Sequence, residues 1–154
     1  MEKTNELNKF LSYIHMGMSI YRIYYENANR LKNKKLINLI VECQEIFKMH
    51  EEKIITLIKK YHEKDTKSLT AAGKMGVFME KMKTFKTPFD ICINAIKSTD
   101  MGIISSIKFL KENRNLSEEI KLYFKNVIDD YKKIKDKFLE FTLEELVEEN
   151  KKQL

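Results

Sequence analysis

The chain has 154 residues, the size of one domain whose core needs neither disulfides nor a structural metal. Hydrophobic residues make up 43% and charged residues 34%, which excludes a disordered polymer, and the absence of any run of about 18 apolar residues excludes a membrane-spanning helix. The net charge is +6, but 29 bases stand beside 23 acids, and Lys alternates with Glu along helical faces, a solvated pattern that weighs against nucleic-acid binding.

Four glycines and one proline leave few breakers, so the sequence predicts long helices. The first spans roughly Asn5 to Arg30 on a seam of Leu7, Leu11, Ile14, Met18, Tyr21, Tyr25 and Ala28, in steps of four and three. Beside it runs a second apolar stripe, Phe10, Tyr13, Gly17, Ile20 and Tyr24. That stripe exceeds what one seam needs; it is a candidate homodimer surface, or else the surface that the later crossover covers. The second helix carries Leu36, Ile40, Cys43, Phe47, His50, Ile54, Leu57 and Tyr61.

About 25 residues, Glu63 to Thr87, separate the second and third long helices, and they contain a short amphipathic helix near Lys74 to Lys83. Such a length can cross the whole fold and make those two helices parallel, whereas the short links around Asn29 to Lys34 and Asn113 to Leu116 force antiparallel neighbours. The crossover holds Met75, Phe78, Met79 and Met82, read either as a flank cover or as a partner site. The third long helix opens at Thr87 and Pro88 and is predicted to bury Phe89, Ile93, Ile96, Asp100, Ile103, Ile107 and Leu110. The fourth opens at Ser117 and carries Ile120, Phe124, Val127, Tyr131, Ile134, Phe138 and Phe141. Thr142 and Glu145 suggest a capping box for a separate short helix ending near Leu154. Four seams of equal length, each on a helix roughly 38 Å long, predict an all-α four-helix bundle over residues 1–154.

No export signal precedes the first helix, so a cytoplasmic location is the default, with Cys43 and Cys92 as reduced core thiols. The Lys, Ile and Asn bias suggests an AT-rich bacterial genome.

The segments MGMSIYR (Met16–Arg22), AAGKMGVFMEKMK (Ala71–Lys83) and TDMGIISS (Thr99–Ser106), with the order of the helices, resemble bacterial ferritin-like domains of unknown function found in small stress- or spore-associated proteins. The resemblance covers about Leu7 to Phe138. It implies a ferritin-like bundle with one long crossover. Di-iron members of that fold place a Glu on each of two helices and a Glu-x-x-His on each of the other two. Carried over by position, the first Glu is Met18, the residue three before His50 is Phe47, the third-helix carboxylate is Asp100, and the last helix offers Val127, Ile128 and Ile134 with no His. Glu42, Glu45, Asp129 and Asp130 take flanking positions in this register. The resemblance therefore implies a degenerate site, with His50 and Asp100 as its remaining candidates and no cofactor.

No Ser/His/Asp or Cys/His arrangement with supporting context and no Gly-rich phosphate loop is present. His15 and His62 fall off the seams, and the helix 1 tyrosines read as packing. The expected function is a non-enzymatic structural or interaction protein, related to stress or sporulation, that forms a homodimer through Phe10, Tyr13, Ile20 and Tyr24. The alternative is a metal-binding or redox protein with a degenerate site.

Overall fold

A computed structural model describes residues 2–60 and 71–153, with side chains from 6 to 60 and from 73 to 152. The described residues are all-helical: α1 (Glu2–Arg30), α2 (Lys34–Lys60), α3 (Ala71–Met82), α4 (Pro88–Glu112) and α5 (Glu118–Gln153). No helix among them is long and apolar enough to cross a membrane. The predicted seam residue Tyr61, the predicted off-seam His62, residues 63–70 of the crossover and the terminal Leu154 lie outside the described residues.

Local chemistry sets the helix ends. α1 closes in a Schellman turn: the Lys32 N–H bonds the Asn29 carbonyl at 3.0 Å and the Asn33 N–H bonds that of Ala28 at 3.3 Å. Lys32 takes the left-handed conformation, φ 57°, that glycine usually supplies there. Asn33 at once caps α2, its Oδ1 accepting the Leu36 N–H at 3.0 Å. α4 opens with Thr87, Pro88 and Asp90 in a full capping box. The Asp90 carboxylate accepts the Lys86 and Thr87 N–H groups, which hold its carboxyl below the usual carboxylate range. Ser117 caps α5 through the Ile120 N–H at 3.3 Å.

α5 runs unbroken to Gln153, so the predicted separate C-terminal helix does not form. A capping hydroxyl must leave the helix to accept an N–H. That of Thr142 stays inside, buried, and donates to the Phe138 carbonyl at 2.7 Å.

The four long helices pack so that α1 touches α2 and α4, and α5 touches the same two. Each neighbouring pair is antiparallel. Along α1 and α4, Phe10 meets Phe109 while Tyr21 meets Thr99. Along α2 and α5, Lys60 pairs with Glu119, His50 with Asp130 and Glu42 with Lys137. Hence α2 and α4 point the same way, and α3 lies on α1 within the crossover between them. Gly76 lets α3 approach closely, since a Cβ there would sit 3.2 Å from the Met16 sulfur.

The α2 seam from Leu36 to Leu57 and the α5 seam from Ile120 to Phe141 are buried at the predicted spacing. On α1 both stripes are used. Phe10, Ile20 and Tyr24 are buried with the main seam, because α3 and α4 cover that side, and only Tyr13 of the four predicted dimer residues stays exposed. The homodimer surface expected on helix 1 is therefore interior.

α4 departs most from expectation. Its core face is Cys92, Ala95, Thr99, Ser106 and Phe109, with Gly102 between them. The predicted seam lies at the margin of that face: Ile96, Ile103 and Leu110 are partly buried against the core, Phe89 and Ile107 are exposed, and Asp100 ion-pairs with Lys135 of α5 at 2.9 Å. Close approach explains the choice. The Tyr131 ring of α5 fits so tightly over Gly102 that a Cβ there would lie 2.7 Å from its Cε2, and larger residues on that face would hold the helices apart.

Candidate functional site

At mid-height the helices converge on a layer of rings. Tyr21 of α1 meets Phe47 of α2 at 4.8 Å between centroids, and Phe47 meets Tyr131 of α5 at 5.4 Å. α4 closes the layer with Gly102 under Tyr131 and Thr99 against Tyr21. The Thr99 hydroxyl donates to the Ala95 carbonyl at 2.7 Å. Its single proton is thus spent, and the 2.7 Å contact with Tyr21 is a bond donated by the phenol. Burial raises the Tyr21 and Tyr131 phenols well above their ordinary range, so both stay protonated.

One turn further along α2 lies His50, fully buried. Its Nε2 is 2.8 Å from Asp130 Oδ2, and the Tyr123 hydroxyl donates to its backbone carbonyl at 3.0 Å. Tyr123 and Tyr131 stand edge-on to the imidazole at 5.9 and 6.3 Å. Burial pulls the His50 pKa below its ordinary value, against the opposing pull of Asp130. The ring is accordingly neutral at pH 7. Its Nε2 carries the proton given to Asp130, and its Nδ1 is a buried lone pair without a hydrogen-bond partner. Such an Asp–His pair is polarised as a general base would be. The free nitrogen is sealed from solvent, however, so the pair serves to lock α2 to α5.

His50 and Asp100, the two sequence candidates for a metal, thus engage different partners, Asp130 and Lys135. Among the described residues no group of three or more His, Cys, Asp and Glu side chains could hold a metal ion. The other imidazole among the described residues, the half-buried His15 of α1, pairs with Glu51 of α2 at 2.7 Å. Beside His50 an open groove of about 400 Å³ runs between α2 and α5, lined by Met49, Lys53, Leu57, Leu122, Tyr123 and Asn126.

The chain matches no family model and no curated protein. Its chemistry must therefore be read from its own residues.

Two polar sites escaped the sequence reading. Asp130 looked peripheral because it sits one residue before the seam position Tyr131, yet that offset points it at α2. Glu80 of α3 is buried, and it accepts the Tyr24 hydroxyl at 2.6 Å and the Lys83 ammonium at 2.7 Å. Lys83 also donates to Asn94 of α4 at 2.8 Å, and Arg30 donates to the Phe85 carbonyl. This network and the buried Phe85 pin the crossover to α1 and α4. The Lys three residues after Glu80 was the available sequence signal.

Proposed function

We propose that the protein is a non-enzymatic, ferritin-like four-helix bundle that works as a structural or interaction protein, with a stress or sporulation role in keeping with its resemblance. One observation carries the reading: rings fill the centre where a di-iron site would need hard oxygen donors. Two irons bring four positive charges, which bridging carboxylates must offset. Tyr21, Phe47, Tyr131 and Thr99 meet in that layer, and the phenols are held protonated. This donor set does not fit a di-iron centre. The helix order and the parallel α2 and α4 favour the ferritin-like arrangement.

A metal-binding reading keeps one supporting observation, the unpartnered Nδ1 of His50 beside Asp130. Elemental analysis of the purified protein separates the two. The proposal expects metal far below one atom per chain, and iron or manganese at two atoms per chain would overturn it.

A further inference from the structure

The crossover helix α3 covers α1 with its small side. Gly73 and Glu80 are buried, Val77 packs against the core, and Gly76 lies against Met16. The large apolar residues face the other way: Met75, Phe78, Met79 and Met82 are 58–70% exposed. At about 3.6 residues per turn these four share about 100° of the helix surface, and Lys74 and Lys81 stand along one edge of that arc. Lys83, which bonds Asn94 of α4, marks the other edge. Met101, about two turns along α4 from Asn94, is exposed on that side as well. Because α3 packs on α1 from outside the four long helices, its free face is a convex ridge rather than a groove.

We infer that this ridge rests on an anionic lipid bilayer, with Phe78 and the three methionines entering the acyl boundary and the lysines reaching the headgroups. The charge pattern selects an anionic surface. Between Ala71 and Thr87 the charged residues are Lys74, Glu80, Lys81, Lys83 and Lys86. Glu80 is buried and held by Tyr24 and Lys83, whereas Lys74, Lys81 and Lys86 are exposed. On the neighbouring helices, the Asp90 carboxylate accepts the Lys86 and Thr87 N–H groups, Glu26 of α1 stands one turn from Arg22, and Lys97 of α4 is exposed. Residues 61–70, outside the described residues, hold two acids and two lysines, which cancel. Shape and size select a bilayer over a protein. A partner helix seats its apolar face in a groove. A ridge ~18 Å long and one helix wide, roughly 10 Å, offers roughly 180 Å², far below the ~800 Å² per partner of a standard protein interface. A lipid surface needs neither a groove nor that area, because flexible methionines and lysine charge suffice for reversible attachment. The attachment is to the bilayer face, since no described helix is long and apolar enough to cross it.

The inference rests on the interaction reading above and names its partner. Co-sedimentation of the full chain with vesicles of one part phosphatidylglycerol to two parts phosphatidylcholine tests it. The wild type is expected to bind these vesicles at least tenfold more tightly than pure phosphatidylcholine, and to release them as salt rises from about 0.1 M to about 0.5 M. Each lysine near an anionic surface contributes about fivefold in affinity, so Lys74→Ala with Lys81→Ala should weaken binding about 25-fold. Phe78→Glu should weaken it at least tenfold, while Ile107→Glu, on the far edge of α4, leaves it intact. All these side chains are exposed, so circular dichroism melts of the variants should match the wild type. The chain has no tryptophan, so Phe78→Trp and Leu122→Trp each report one place. Emission of the first should shift to the blue on anionic vesicles, and that of the second, in the groove between α2 and α5, should not. No binding to anionic vesicles, equal binding to neutral ones, or a shift at Leu122→Trp with none at Phe78→Trp overturns the proposal. A wild type that ignores vesicles, with the Phe78→Trp shift produced instead by an acidic amphipathic peptide, would give the ridge to a protein partner and overturn it too. Elemental analysis of the same preparation keeps the two readings apart: failed binding by metal-free protein removes the lipid partner alone, and stoichiometric metal removes the non-enzymatic reading whatever the vesicles show.

Discussion

Two helical glycines should respond in opposite directions to the same substitution. A Cβ at Gly102 would lie 2.7 Å from Tyr131 Cε2 and 3.0 Å from Cδ2. The ring cannot swing away cheaply, because Phe47 and His50 flank it at 5.4 and 6.3 Å. Overpacking of this kind costs about 1–3 kcal/mol. The better helix propensity of alanine returns about 1 kcal/mol. Gly102→Ala should therefore destabilise by about 1 kcal/mol net. At Gly17 the added Cβ would meet Phe47 Cε1 at 3.4 Å, an ordinary contact. Only the propensity acts there, and Gly17→Ala should stabilise by up to about 1 kcal/mol. The variants should differ by about 2 kcal/mol, which for a domain of this size is about 4–8 °C in Tm. Urea and thermal unfolding followed by circular dichroism would measure both. A Gly102→Ala protein as stable as the wild type, or the reverse ranking of the two, would refute the claim that Tyr131 packs against bare backbone.

Three further outcomes follow. Lys32→Gly should stabilise by about 1 kcal/mol in urea unfolding, because it removes a side chain from the left-handed position of the Schellman turn without touching its two bonds. His50 has a folded-state pKa below its ordinary value, so the unfolded chain binds the proton first: stability is full above about pH 6.5 and falls as pH drops toward the depressed folded value, at up to about 1.4 kcal/mol per pH unit. Unfolding at pH 7 and pH 5 should show this loss shrinking in His50→Asn, and an unchanged slope would remove the assignment. Burial pushes the Cys43 thiol up to about 12 and the Cys92 thiol up to about 11, so both should react slowly with a thiol reagent at pH 8 in the folded protein and rapidly in urea.

The helical character and the core faces of α2 and α5 were legible in the sequence, since their large apolar residues are the ones that turn inward. α4 was not, for a specific reason. Between the buried Ile91 and Phe109 its inward positions, Cys92, Ala95, Thr99, Gly102 and Ser106, are small or hydroxylated, and rank below its other isoleucines on any hydrophobic scale. Their role is close approach: Gly102 admits the Tyr131 ring, and the hydroxyls of Thr99 and Ser106 are satisfied by carbonyls one turn earlier. Periodicity placed the centre of the α4 stripe too far round the helix: Ile96, Ile103 and Leu110 do pack against the core, whereas Phe89 and Ile107 are exposed. The second α1 stripe posed the opposite difficulty. Phe10, Ile20 and Tyr24 exceed what one seam needs and fit either a dimer surface or a covered flank, and α3 and α4 cover them. The polar partners of His50 and Tyr24, namely Asp130 and Glu80, come from residues 80 and 56 positions away, pairings that no local pattern encodes.

The central claim is that ring packing, and no metal cluster, holds the middle of this fold. The most direct test is the melting temperature of chelator-stripped protein with and without excess Fe(II) under anaerobic conditions. Binding at a concentration one hundred times the dissociation constant would add about 2.7 kcal/mol, or about 5–11 °C for a chain of this length. The account predicts superimposable melts. A rise of that size, saturating at two irons per chain, would contradict it.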